Sequence, residues 1–179
     1  MNYRDFFDLH NIKYQEGLSD VEIIRIESLY KIQFPDELKS LFKQVFPISE
    51  GFYNWRDFSE KNVEFILQAL NRPFNDFYNE ASEIYWNDDW GEEPETDEEI
   101  QEIIRDKLLS APKLIPIYAH RYISMINGNT NPIFSIHGID IIIYGESLDD
   151  YLNVEFGEKS QSDINFSNVL DVPFWSEVM

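Results

Sequence analysis

Three side chains near the middle of the chain have the types that acid–base or metal chemistry needs: His120, His137 and Asp140. The histidines sit on two runs rich in Ile, Tyr and Phe, Leu114 to Ile123 and Ile133 to Tyr144, and Asp140 follows His137 by three residues. If those runs pair around a turn at 127–131, the two imidazoles and the carboxylate approach one another, as a general base or a metal site requires. The plainer account is that the imidazoles satisfy hydrogen bonds between strands, since their spacing matches no motif. His10 reads as a surface residue of the first helix. There is no cysteine, so disulfides, thiolate metal sites and cysteine nucleophiles are excluded. No GxSxG elbow, phosphate-binding glycine loop, GxGxxG or HExxH occurs either. The expectation is a protein that is not an enzyme, without metal or cofactor.

Paired carboxylates carry no more weight. With 34 acids in 179 residues, Asp88/Asp89, Glu92/Glu93 and Asp149/Asp150 follow from composition, and nothing matches an EF-hand. Their distribution says more than their number. Of a net charge of -20, residues 80–106 hold 12 acids against one base, and residues 146–179 hold eight acids against one base. The intervening 107–145 hold one acid and three bases. Such a chain repels a polyanion, so direct nucleic-acid binding is not expected. A plainly solvated surface explains the charge, and so does a field that steers a basic partner. Trp86 and Trp90 sit inside this charge, beside Asp88, Asp89, Glu92, Glu93 and Glu95. Tryptophans in such a loop either pack down as lid anchors or stand out as interface anchors.

Positioning these residues falls to the surrounding elements. Hydrophobic residues at 43% and aromatics at 16% exclude a disordered chain, and the length suits one domain over 1–179. No apolar run reaches the ~20 residues of a membrane span, and the N-terminus lacks a signal-peptide pattern, so a cytoplasmic location is expected. Tyr3, Phe6, Phe7 and Leu9 suggest a short packed turn of helix. Ser19 with Glu22 forms a capping box ahead of a stripe of Ile23, Ile26 and Tyr30. Pro35 opens a second helix in which Leu38, Leu41, Phe42, Val45 and Phe46 keep helical spacing until Pro47. Ser59 opens a third, with Val63, Ile66, Leu67 and Leu70 inward and Asn71-Arg72-Pro73 as its stop. Thr96 with Glu99 makes a second capping box that starts a fourth, carrying Ile100, Ile103, Ile104 and Leu108. The two Ile/Tyr/Phe runs then predict a long antiparallel pair, with Ile139, Ile141 and Ile143 on one face and Asp140, Ile142 and Tyr144 on the other. Ser147 caps a last short helix, and the tail through Phe174-Trp175 is expected to dock on the body.

Several of these stretches together resemble a known family. WNDDWGEEP (86–94), APKLIPIYAHRYIS (111–124), NPIFSIHGIDIIIYG (131–145) and LDDYL (148–152) follow the order and approximate spacing of the SUKH superfamily, the group that includes fungal cell-wall-assembly regulators of the Smi/Knr type. SDVEIIRIESLYKIQFPDELKSLF (19–42) is similar to its opening helices, and the resemblance covers residues 18–156. It implies an α+β fold: a single domain with a twisted, mainly antiparallel sheet, helices packed on one side and a groove along the other. It further implies a non-catalytic binding protein, often a bacterial immunity protein that neutralises a polymorphic toxin. His120, Arg121 and Tyr122 match the family tripeptide and are expected in the groove, while Trp86, Trp90 and Gly91 match its loop. Ala119, Thr130 and Gly138 depart from the pattern, which bears on local turn geometry and groove shape.

The reading that follows is an antitoxin-like immunity protein whose partner is a cationic toxin domain, most simply a basic nuclease. Trp86 and Trp90 would anchor that partner, and Asp88, Asp89, Glu92, Glu93 and Glu95 would cover its Lys and Arg side chains. The alternative is a regulatory scaffold that binds a neutral partner.

Overall fold

The helix starts foreseen from Ser19, Thr96 and Ser147 are real caps. Ser19 and Glu22 exchange both bonds of a capping box. The Thr96 hydroxyl accepts from the Glu99 N–H, but the box expected there is half made, since the Glu99 carboxylate accepts from the Thr96 hydroxyl at 3.0 Å and not from its N–H; the Ser147 hydroxyl accepts from the Asp150 N–H. In a computed structural model, which describes residues 1–126 and 130–179, these caps open three of six α-helices. In chain order the described elements are α1 (Tyr3–Leu9), β1 (Tyr14–Glu16), α2 (Asp20–Tyr30), α3 (Asp36–Gln44) and β2 (Val45–Pro47). There follow α4 (Glu60–Asn79), α5 (Asp97–Ser110), β3 (Leu114–Tyr118), β4 (Arg121–Ser124), β5 (Ile133–His137), β6 (Asp140–Gly145) and α6 (Leu148–Glu155). The fold is α+β, with an antiparallel β1–β2 pair and an antiparallel sheet in the order β3-β4-β5-β6.

Where one long pair was expected, the chain makes a four-stranded meander. The first run reverses at Ala119-His120, bringing Tyr118 opposite Arg121. The second reverses at Gly138-Ile139, bringing His137 opposite Asp140. Ala119 takes a left-handed φ of 46°, a conformation uncommon for a residue with a Cβ. Tertiary bonds hold it there: its N–H donates to the Gly51 carbonyl at 2.8 Å, and its carbonyl accepts from the Tyr53 hydroxyl at 2.6 Å. No local turn signal announces that reversal. The expected turn at 127–129 lies outside the described residues. Along β6 the alternation holds, with Ile141 and Ile143 buried and Asp140 and Ile142 exposed, but Ile139 belongs to the turn.

Both faces of the sheet are covered. Ile115, Ile117, Ile123 and Ile133 pack into a core shared with α1, α2, α3 and α6. Tyr122, Phe134, Ile136, Ile141 and Ile143 pack into a second core with the end of α4, α5 and the C-terminal tail. Helices therefore lie on both sides, and the groove implied by the resemblance is filled by Phe77, Ile104, Phe174 and Trp175.

Two boundaries and several inward positions differ from the sequence reading. Helix α3 ends at Gln44, because Val45 and Phe46 leave it to pair with Glu16 and Gln15 in β1. Helix α4 runs through Pro73 to Asn79, its buried face being Ile66, Ala69, Pro73 and Phe77. Val63, Leu67 and Leu70 lie on its flank, turned away from full burial. In α1, Tyr3, Phe6 and Phe7 are buried while Leu9 is exposed.

Candidate functional site

The acidic loop is not a free strand of chain but a plate fastened to the C-terminal tail. The Asn87 side chain accepts from the Asp89 N–H, tightening a short 3-10 turn, and donates to the Glu177 carbonyl at 3.0 Å. The Trp90 indole N–H donates to the Glu177 carboxylate at 2.7 Å, and its ring stacks on Phe174 at 6.1 Å and 7°. The Lys107 ammonium sits 4.3 Å from the Trp90 ring centroid and 3.9 Å from Glu177. Hydrogen bonds from the Phe174 N–H and the Trp90 indole, with Lys107 nearby, draw the Glu177 carboxyl below the usual range against the opposing effect of its burial, itself the largest single influence.

Trp86 meets Trp90 edge to face at 5.3 Å and donates its indole N–H to the Gly91 carbonyl at 2.8 Å. Both tryptophans are half-buried. They serve first as anchors of the loop, and the aromatic that stands free beside them is Tyr85, 72 % exposed.

Around this plate the carboxylates face solvent. Asp88, Asp89, Glu92, Glu93 and Glu95 are all exposed. Glu92, Glu93 and Glu95 form one wall of an open hollow, and Glu99, Glu102 and Asp106 form the other, with Ile103 between them. The spacing 99, 102, 106 places these three on one face of α5, opposite the buried Ile100, Ile104 and Leu108. Periodicity alone therefore held the signal for this second wall, which a loop-centred reading passed over.

The two acidic segments differ in what neutralises them. In the C-terminal one, Lys159 bridges Glu146 at 3.0 Å and Asp150 at 2.7 Å, the N-terminal ammonium holds Asp149, Arg121 holds Glu155, and Lys107 lies near Glu177. In residues 80–106 the ion pair present among the described residues is the local one of Arg105 with Asp106. The unneutralised negative charge is thus concentrated at the loop and α5. The sequence could not distinguish the two segments, because the pairing cations come from distant positions.

The tripeptide at 120–122 does not join that surface. Tyr122 is fully buried, its hydroxyl donating to the Ala69 carbonyl at 3.3 Å. Arg121 is nearly buried, bonded to Glu155 at 3.1 Å and Ser135 at 2.8 Å, with its guanidinium 3.8 Å from the Tyr144 ring centroid. Neither offers a side chain to a partner, which corrects their expected place in a groove; strand alternation points the two to opposite faces of the sheet. His120 remains half-exposed at the β3–β4 reversal, with the His137 ring 6.3 Å away and perpendicular. Burial, and then the positive charge of Arg121 and His137, lowers its pKa below the ordinary imidazole value. The meander has brought the two imidazoles together by a different route from the one expected. Among the described residues, no group of three or more His, Asp or Glu is placed to hold a metal ion.

No helix among the described residues is long and apolar enough to cross a membrane. No family model matches the chain, and neither does any curated protein or solved structure.

Proposed function

We propose that this is a binding protein of the immunity type, which neutralises a cationic toxin domain by occupying its basic surface, and that the resemblance to the SUKH superfamily reflects that role. One observation carries the reading: among the described residues, eleven carboxylates from Glu80 to Glu102 lack a cation within 4 Å, while five of the eight C-terminal acids are paired with a Lys, an Arg or the N-terminal ammonium. Leaving so many like charges side by side costs stability through self-repulsion, and a partner rich in Lys and Arg would relieve it. A nuclease domain has such a surface, because it must hold phosphates. Tyr85 supplies an accessible aromatic at the edge of the charge, and the Trp86–Trp90 plate holds the loop in shape before the partner arrives.

The test is kinetic. Association with a basic nuclease toxin from the same cell should exceed the ordinary ~10⁵–10⁶ M⁻¹s⁻¹ and slow steeply with salt, since screening acts over ~8 Å at physiological ionic strength. Changing Asp88, Asp89, Glu92, Glu93 and Glu95 together to amides should slow association severalfold at low salt. An on-rate indifferent to both salt and these substitutions would refute the electrostatic reading and favour a scaffold for a neutral partner.

A further inference from the structure

A cavity of ≈ 180 Å³ lies where the end of α2, the flank of α4, the end of α5 and the start of β3 meet. Its wall is largely apolar, with Leu70, Phe74, Leu108 and Trp175 among its lining residues, and Leu67 and Leu109 beside them are partly open to solvent. Size limits the occupant. An apolar cavity of about 150 Å³ accepts a benzene-sized ring, so this one accommodates a single ring with a short substituent and excludes a nucleotide.

Charge on the wall sets the chemistry. Lys113 lines the cavity with no carboxylate within 4 Å, and no acidic residue lines it at all among the described residues. In a chain of net charge -20, a pocket whose charged lining is a lone ammonium favours an anion. We propose that this cavity binds a small aromatic monocarboxylate, with its ring against Phe74 and Trp175 and its carboxylate toward Lys113. The site shares no lining residue with the acidic hollow, so either proposal can fail without the other.

Phenylacetate and its neutral analogue phenylacetamide are suitable probes. The Trp175 indole N–H, which donates to the Pro112 carbonyl at 2.8 Å, is the reporter, since both residues line the cavity. Phenylacetate should shift that N–H resonance and saturate at roughly millimolar concentration, as expected for ten heavy atoms. Lys113→Met should weaken phenylacetate about three- to fivefold, the worth of a partly solvated ion pair, and leave phenylacetamide unchanged. Ala111→Phe, which fills the cavity from its rim, should abolish both shifts. The proposal is overturned if phenylacetate leaves the resonance unmoved, or if Lys113→Met weakens both probes equally. Lys113→Met changes an exposed side chain, so it decides the matter even if Ala111→Phe fails to fold.

Discussion

The Tyr122 hydroxyl donates to the backbone carbonyl of Ala69, the very carbonyl that Pro73 leaves without its helical N–H partner. Proline in a helix interior removes the bond to the residue four positions earlier and strands that acceptor. Here the acceptor faces a buried core, where an unmet carbonyl costs about 1–3 kcal/mol. A tyrosine on β4 supplies the missing donor, and burial raises its pKa so that the hydroxyl stays protonated. Helix α4 can therefore continue past Pro73 and insert Phe77 between Phe174 and Trp175.

Tyr122→Phe should lower unfolding free energy by about 1 kcal/mol, the modest end being expected for a bond of 3.3 Å. In a Pro73→Ala background, where Ala69 regains its helical partner, the same change should cost measurably less. Urea denaturation of the four proteins gives the coupling directly. Equal costs in both backgrounds would mean that the hydroxyl is not compensating the proline.

This pairing shows where the sequence stops being readable. Caps and amphipathic stripes were legible because their physics lies within four residues: Ser19 with Glu22, or Leu38 with Leu41 and Phe42. A stop at Pro73 was the sound local inference, and only a donor 49 positions away reverses it. The reversal at Ala119 is the same kind of case, since Gly51 and Tyr53 hold it. For the candidate site, the excess of charge at 80–106 was plain, and so were the loop carboxylates. The sequence did not say that Trp90 is sealed by Glu177 and Phe174, or that Lys159 and Arg121 quench the other acidic segment.

Arg121 and Glu155 form a largely buried pair that ties β4 to α6. Removing one partner strands the other, which typically costs about 3–5 kcal/mol when burial is complete. Arg121→Ala should therefore cost about 3 kcal/mol in chemical unfolding, with loss of the Tyr144 contact adding to it. Under conditions where the variant stays folded, its association rate with the cationic partner should match that of the parent. A slowed on-rate would return Arg121 to the binding surface.

Acid should destabilise the protein in a defined window. Arg56 and Ser19 hold the Glu22 carboxyl at about 2, and the Asn165 N–H, Asn168 and Lys159 hold that of Glu146 at about 2. Groups depressed in this way stabilise the fold above their unfolded value, near 4.5, and lose that contribution as pH falls toward 2. Glu37 runs the other way: burial raises its carboxyl despite bonds from the Asn131 and Leu148 N–H groups, so acidification relieves its cost. Urea midpoints should fall between pH 4.5 and 2, less steeply in Glu146→Gln, whereas Glu37→Gln should remove a gain in stability on acidification from neutral pH toward 4.5. Matching slopes in all three proteins would contradict these assignments.

The two imidazoles at the sheet's end give a test of the chemistry set aside. His120 should titrate below the ordinary imidazole value, and His137→Ala should raise it by removing one of the positive neighbours that depress it. Ring proton shifts followed by NMR report both. Because the folded state resists protonating His120, its contribution to stability is present at neutral pH and declines as pH falls through its unfolded value. Zn²⁺ or Ni²⁺ should leave the thermal midpoint unchanged, as no third ligand among the described residues is placed to complete a site. A rise of several degrees with metal would reinstate a metal-dependent reading.

Glu177 is the point through which loop and tail hold each other. Its carboxylate accepts from the Trp90 indole and the Phe174 N–H, and Lys107 lies against both Glu177 and the Trp90 ring. Glu177→Gln keeps the shape but removes the charge and one acceptor oxygen; Glu177→Ala removes both acceptors. If the plate matters because it holds the loop carboxylates in place, loosening it adds an ordering cost to binding without altering the local charge from 88 to 95. Glu177→Ala should then red-shift tryptophan emission, speed proteolysis within 84–95, and weaken partner binding mainly through faster dissociation, with association and its salt dependence nearly intact. The amide quintuple variant should do the reverse, slowing association while leaving the emission of Trp86 and Trp90 unchanged. Should both variants alter the same rate constant, the division of labour between anchoring tryptophans and steering carboxylates does not hold.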